Sequence, residues 1–170
     1  MRLNAFLVFR RIVLTVTLLL LTTPAWGADT PVERNTLKGI TEVTVDVSPI
    51  KSEAERDGLR RSQVQTDVEL RLRHSGIKVV PPSNLAVPCV FVRIHTLTLK
   101  EHRAYVYSIQ LELYQGVSLQ RDPLILSHTA TWSHSIVGLV GAERVFTVRS
   151  DVDNLVDTFI NAYLEQNPKR

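Results

Sequence analysis

Residues 105–119 read Tyr-Val-Tyr-Ser-Ile-Gln-Leu-Glu-Leu-Tyr-Gln-Gly-Val-Ser-Leu. The odd positions Tyr105, Tyr107, Ile109, Leu111, Leu113, Val117 and Leu119 are apolar, and only Gln115 breaks the run. The even positions are mostly polar: Ser108, Gln110, Glu112 and Ser118. Successive side chains leave a strand on opposite sides, so this alternation predicts a long strand with one face in a core and the other open. Cys89 to Leu99, rich in Val, Ile and Thr, is the strand before it, joined through the charged hairpin Lys100 to Arg103. Leu126 to Ile136 is the strand after it. Leu126, Ala130, Trp132 and Ile136 are expected on one face, and Ser127, Thr129, Thr131, Ser133 and Ser135 on the other.

Upstream, Val43, Val45 and Val47 alternate with Thr44 and Asp46 in a further half-buried strand, ended by Ser48-Pro49. Two capping-box patterns follow, Ser52 with Glu55 and Ser62 with Gln65. They predict a helical turn near 53–57 and a helix from about 63 to 74, whose Val64, Val68 and Leu72 form one stripe. Gly76 stops that helix. Ile77 to Val80 is a short strand, and Pro81-Pro82-Ser83-Asn84 a loop. At the other end, Val152, Leu155, Val156, Phe159, Ile160, Tyr163 and Leu164 follow a helical period after a Ser150 cap, and Asn167-Pro168 closes it. Gly138-Leu139-Val140-Gly141 reads as a loop that either tucks under this helix or offers an apolar contact. The order β-α-β-β-β-β-α, with one apolar face per helix and per long strand, predicts an α+β two-layer sandwich. Its sheet has about five strands, mostly antiparallel, with two helices on one face.

The stretch Val68-Glu69-Leu70-Arg71-Leu72-Arg73-His74-Ser75-Gly76-Ile77-Lys78-Val79-Val80 runs a helix through Ser-Gly into a short strand. With the hairpin, further strand and last helix that follow, it resembles small bacterial envelope domains. These are the amino-terminal domain of the Tol translocation protein B and the lipoprotein partner in lipopolysaccharide export. The resemblance covers residues 40 to 166 in topology. It implies a scaffold and an envelope setting, and assigns no residue a role.

The first 27 residues read as a secretory leader. Arg2, Arg10 and Arg11 precede the apolar run Ile12 to Leu21, and Ala25 and Gly27 are small residues placed for cleavage between Gly27 and Ala28. The run is shorter than the roughly 20 residues of a bilayer span. The expected organisation is therefore a leader at 1–27, a flexible amino-terminal segment at 28–39 and a single domain at 40–167. Its place is the periplasm or the medium, with no integral membrane segment once the leader is removed. The whole chain of 170 residues has 20 Lys and Arg against 17 Asp and Glu. Three of the arginines and none of the acids belong to the leader, so the remainder is balanced at 17 each. Nucleic-acid binding, which depends on accumulated positive charge, is not expected.

No arrangement of residues announces a reaction. Ser48-Pro49-Ile50-Lys51 matches a Ser-x-x-Lys pattern, but it follows a strand and no Lys-Thr-Gly accompanies it. There is no Gly-x-Ser-x-Gly elbow and no phosphate-cradling glycine loop. His128 and His134 are expected on one strand face, roughly 20 Å apart at about 3.4 Å per residue, too far to share a metal. His95 and His102 flank a hairpin without an acidic cluster. Cys89 is a lone thiol, expected either buried beside Phe91 or bonded to another chain. No cofactor is expected. The first expectation is a non-catalytic periplasmic protein-interaction module, an accessory of envelope assembly or transport, acting through a sheet edge or the polar sheet face on an unidentified envelope partner. The alternative is a carrier of a small or lipid-like ligand between sheet and helices, with Tyr105, Tyr107, Trp132, Phe159 and Tyr163 lining its pocket or filling the core. An enzyme of an unrecognised class stands behind both.

Overall fold

The computed structural model describes residues 29–82 and 86–168. The expected leader, its cleavage point, and Ser83 and Asn84 of the expected loop lie outside them. The elements are α1 (Pro31–Asn35), β1 (Glu42–Val47), α2 (Ser52–Arg56), α3 (Arg61–His74), β2 (Lys78–Val79), β3 (Cys89–Leu99), β4 (Ala104–Leu119), β5 (Asp122–Gly141) and α4 (Val148–Gln166). Short 3-10 turns at Lys100–His102 and Ala142–Thr147 lead into β4 and α4. The chain is α+β, as the pattern predicts. Its one sheet has the order β2-β1-β3-β4-β5, with β3, β4 and β5 antiparallel and β1 parallel to both neighbours.

One face of the sheet is sealed by α3 and α4. Val43, Val45 and Val47 of β1, Val90, Val92 and Ile94 of β3, and Ile109, Leu111 and Leu113 of β4 meet Val64, Val68 and Leu72 of α3 there. Val152, Val156 and Phe159 of α4 complete the layer, all of it buried. Arg71 of α3 clamps α4 through Asp153 (3.1 Å) and Asp157 (2.8 Å). Gly76 ends α3 at φ 88°, where a side chain would be strained.

Several local expectations are corrected. The segment read as a flexible start is built into the domain: Thr30 and Glu33 form the capping box of α1, and Leu37 and Ile40 enter the core. The two capping patterns chosen from the sequence form no cap. The residues before α2 and α3 are Lys51 and Arg60, and neither helix start has a side-chain cap bond. Ser150 lies inside α4, whose start is fed by the preceding 3-10 turn.

The expected loop Gly138-Leu139-Val140-Gly141 is the end of β5, paired with Tyr107, Val106, Tyr105 and Ala104. Its glycine at 138 has a steric reason. A β-carbon there would stand 2.3 Å from the Tyr107 ring and hydroxyl. The ring crosses β5 at this point, and its hydroxyl donates to Asp151 at 2.5 Å.

The faces of β5 also differ from the expected ones. The register with β4 shifts between Leu113 and Tyr114, where Leu113 faces Trp132 and Tyr114 faces Ala130, so Thr131 is an extra residue. A strand's side chains alternate with period two, so the bulge exchanges its faces. Trp132 and Ile136 share the core face with Leu113 and Ile109, whereas Ala130, His128 and Leu126 share the open face with Tyr114. His128 and His134 accordingly sit on opposite faces. Beyond the bulge, β4 and β5 continue as a two-stranded arm whose residues 121–129 are exposed.

Gly138→Ala is expected to destabilise the fold by about 1–3 kcal/mol through overpacking against Tyr107. In a Tyr107→Ala background the same substitution costs much less. Chemical denaturation of the four variants measures the coupling, and additive costs would refute this account of the glycine.

Candidate functional site

The five aromatic residues singled out from the sequence lie together on the sealed face. Trp132 and Phe159 meet edge to face at 5.2 Å, and Tyr163 lies 6.5 Å beyond Phe159. Every polar end has a partner. Trp132 Nε1 donates to Asp29 (2.8 Å), Tyr105 to Asp57 (2.7 Å), Tyr107 to Asp151, and Tyr163 to the Ile40 carbonyl (2.8 Å). Asp29 also takes a bidentate pair of bonds from Arg34, at 2.9 and 2.7 Å. That guanidinium, helped by Trp132, holds its carboxyl below the ordinary carboxylate range. Burial, then the neighbouring carboxylates Asp57 and Asp151, pushes Tyr105 and Tyr107 up to about 12. These side chains belong to the core cluster, with Tyr163 packed against it.

A cavity of about 740 Å³ opens mainly on the other face of the sheet and reaches round the edge of β1 to Val45 and the start of α3, and none of the five lines it. Its floor comes from strand parity. β1 presents Thr44 and Asp46, while β3 presents Cys89, Phe91 and Arg93. Tyr114 of β4 and His128 of the arm extend it, the latter brought to this side by the bulge. Arg61 and Gln65 at the start of α3, with Pro82 and Val87 between β2 and β3, form walls. Phe91 and Tyr114 meet edge to face at 5.9 Å and 82°. The Arg93 guanidinium lies 5.3 Å over the Phe91 ring, a cation–π contact, and 3.4 Å from Glu112. Arg61 pairs with Asp46 at 2.9 Å and also donates to the Val47 carbonyl.

The groove is therefore an aromatic floor framed by charges that already have opposite partners. Such a surface receives apolar or aromatic groups and offers hydrogen bonds at its rim. Cys89 sits at its floor, half-buried, with its thiol pushed up by burial. Among the described residues, no three His, Cys, Asp or Glu side chains gather as metal ligands. No helix among them is long and apolar enough to cross a membrane. Gly138, Leu139, Val140 and Gly141 lie away from the groove, where Leu139 is 66% exposed and Val140 packs on the core.

Phe91 enters the sequence reading only as a neighbour of Cys89, and Tyr114, Arg93, Arg61 and Asp46 have no site role in it. The available signal is the break at Gln115. An aromatic at Tyr114 followed by a polar Gln115 reverses the alternation of β4, marking where the apolar side of the sheet changes.

No family model and no curated protein matches the sequence. Among solved structures, the chain is similar to a PelC variant dodecamer from Paraburkholderia phytofirmans. The identity is 12% over 72% of this chain and 86% of that one, with a TM-score of 0.41. It is also similar to a minor lipoprotein from Acinetobacter baumannii, at 7% identity over 76% of this chain and 95% of that one, with a TM-score of 0.39. Similarity to the Tol translocation protein B domain or to the lipopolysaccharide-export lipoprotein is not shown by these comparisons. Likenesses of this size leave function to be read from the chain's own geometry.

Two outcomes follow from the titrations. Tyr105 and Tyr107 hold their protons more tightly when folded than at the ordinary value of 10, so their contribution to stability is complete below pH 10 and is lost as pH rises toward 12. Denaturation of a Tyr105→Phe/Tyr107→Phe variant is expected to show a shallower loss over that window than the parent. For Cys89, a raised thiol at the groove floor is expected to alkylate more slowly than free cysteine at neutral pH, and faster in Tyr114→Ala. Mass-spectrometric timing of iodoacetamide labelling checks both rates.

Proposed function

We propose that this chain is a non-catalytic interaction module of the bacterial envelope that receives apolar or aromatic side chains of a protein partner in the groove on the open sheet face. The observation that carries the reading is the groove itself. It joins an aromatic pair, Phe91 and Tyr114, to a rim whose charged groups, Arg61 with Asp46 and Arg93 with Glu112, are already neutralised. A partner can cover such pairs without stranding a buried charge, and aromatic pockets of this kind concentrate binding energy. The leader-like first 27 residues support the envelope setting. The absence of any sequence motif for a reaction supports a binding role.

A second reading, a carrier of a small ligand, draws on the cavity's size. About 740 Å³ falls within the roughly 300–1,000 Å³ of small-molecule pockets. The site in that reading is the open-face groove rather than the space between sheet and helices.

The test is recovery of tagged protein from cross-linked cell envelopes, beside Tyr114→Ala. A specific envelope protein, recovered again from the reverse direction, is expected, with affinity for the variant about 30-fold lower, as befits a loss of about 2 kcal/mol at a binding hot spot. A partner held equally well by the variant would remove the groove from the interface. If no partner is recovered and native mass spectrometry finds a small molecule that the variant lacks, the carrier reading stands in its place.

A further inference from the structure

The two edges of the sheet are built differently. At one edge β2 is two residues long, and its Lys78 is held by Glu42 at 2.8 Å. At the other, β5 runs from Asp122 to Gly141 with β4 on one side and no strand among the described residues on the other. From Pro123 through Ala142 the sequence contains no Asp, Glu, Lys or Arg. An exposed edge is a row of unpaired backbone donors and acceptors, and proteins that stay apart blunt it with short length, charge, proline or bulges. Here Pro123 stands at the arm tip and the bulge lies at Thr131. Residues 132–141 are left as an uninterrupted, uncharged edge.

That stretch also carries apolar surface to the rim. Leu97, Val106 and Leu139 stand side by side across β3, β4 and β5 on the open face, with Val137 next along the edge strand. Leu97 is 59%, Leu139 66% and Val137 77% exposed.

We propose that the outer edge of β5 pairs antiparallel with the same edge of a second copy of this chain, about a two-fold axis perpendicular to the sheet at Val137. The charge pattern chooses a second copy. When a strand pairs with itself about a two-fold, any charge at the axis faces its own like and repels it. This strand has none, so self-pairing meets no such penalty. The axis at Val137 sets that residue against its counterpart and Ser135 against Leu139 of the second copy. It keeps the helices of both copies on one side and joins the two apolar rows into one strip. The paired stretch, residues 133–141 about that axis, is roughly 30 Å long at about 3.3 Å per residue. Its contact belongs at the small end of specific interfaces, below about 1,200 Å² in total, so the dimer is expected to form in the micromolar range. The groove takes no part in this pairing, and the inference does not rest on it.

The experiment is sedimentation equilibrium of the protein purified from cells expressing the full chain, from about 1 to about 100 μM. A monomer–dimer equilibrium is expected within that range. Val137→Lys is expected to weaken it at least tenfold, as is Val137→Glu, and mixing the two variants should restore a dimer by setting opposite charges at the axis. Position 137 is exposed enough for both variants to keep the parent's circular dichroism and melting temperature, which are measured alongside. Tyr114→Ala, which alters the groove, should dimerise like the parent. A parent that stays monomeric throughout overturns the proposal. So do association that Val137→Lys leaves unchanged, growth beyond two copies, and folded Lys and Glu variants that fail to recover on mixing.

Discussion

The extra residue at Thr131 is the constraint on which the two sides of this sheet depend. Without it, β5 would present Trp132 on the face opposite Leu113, and the aromatic centre of the core would be lost. With it, Trp132 reaches Phe159 and Asp29, while His128 comes to the open face, where the alternation of β4 already sets Tyr114. The bulge is held from several directions. The Gln115 amide donates to the Thr131 hydroxyl (2.6 Å) and to the Thr36 carbonyl (3.1 Å), and the Thr36 hydroxyl donates to the Thr131 carbonyl (3.3 Å). Polar groups freed by a ladder irregularity are costly when unmatched. Here the segment after α1 supplies partners, so that segment and the bulge stabilise one another.

One consequence is a division of labour between faces. On the sealed face the polar ends of aromatic side chains are matched by carboxylates set on other elements: Asp29 before α1, Asp57 after α2, and Asp151 in α4. These contacts tie the connecting segments to the sheet. On the open face, charged groups are matched among themselves, Arg61 with Asp46 and Arg93 with Glu112. Charges so arranged are nearly neutral in effect, so association there is governed by shape and aromatic contact more than by long-range attraction.

How far the fold could be read from the residues depended on whether the signal was periodic or conditional. Alternation in β1, β3 and β4 and the helical stripe of α4 are set by burial on one face, and they survive into the structure nearly residue for residue. The same rule misassigned β5, because alternation carries no mark of an inserted residue and Ser and Thr populate both sides of Thr131. The caps failed for a related reason. Ser52 and Ser62 match a pattern that requires a particular backbone entry, and the chain enters α2 and α3 through Lys51 and Arg60 instead. Thr30 with Glu33 carries the same pattern in a polar stretch, and there the backbone entry lets the cap form. Gly138 to Gly141 reads as a loop in sequence because two glycines flank two aliphatic residues. The actual cause of the glycine at 138, the Tyr107 ring lying across the strand, is a contact between residues far apart in sequence. The groove was the least legible part, since its members come from four strands, one helix start and a loop.

The beginning and end of the described domain are fastened at one place. Arg34 bonds Asp29 and, at 2.6 Å, Glu165, while Asn167 accepts from the Gly39 amide (2.7 Å) and donates to the Leu37 carbonyl (2.9 Å). Domains closed in this way tolerate being spliced into a host loop or having their ends joined and new ones opened elsewhere. The unit is thus a cassette: whatever is attached on either side hangs from the same corner, and a pull applied between its two ends loads the Arg34 and Asn167 contacts before it reaches the sheet.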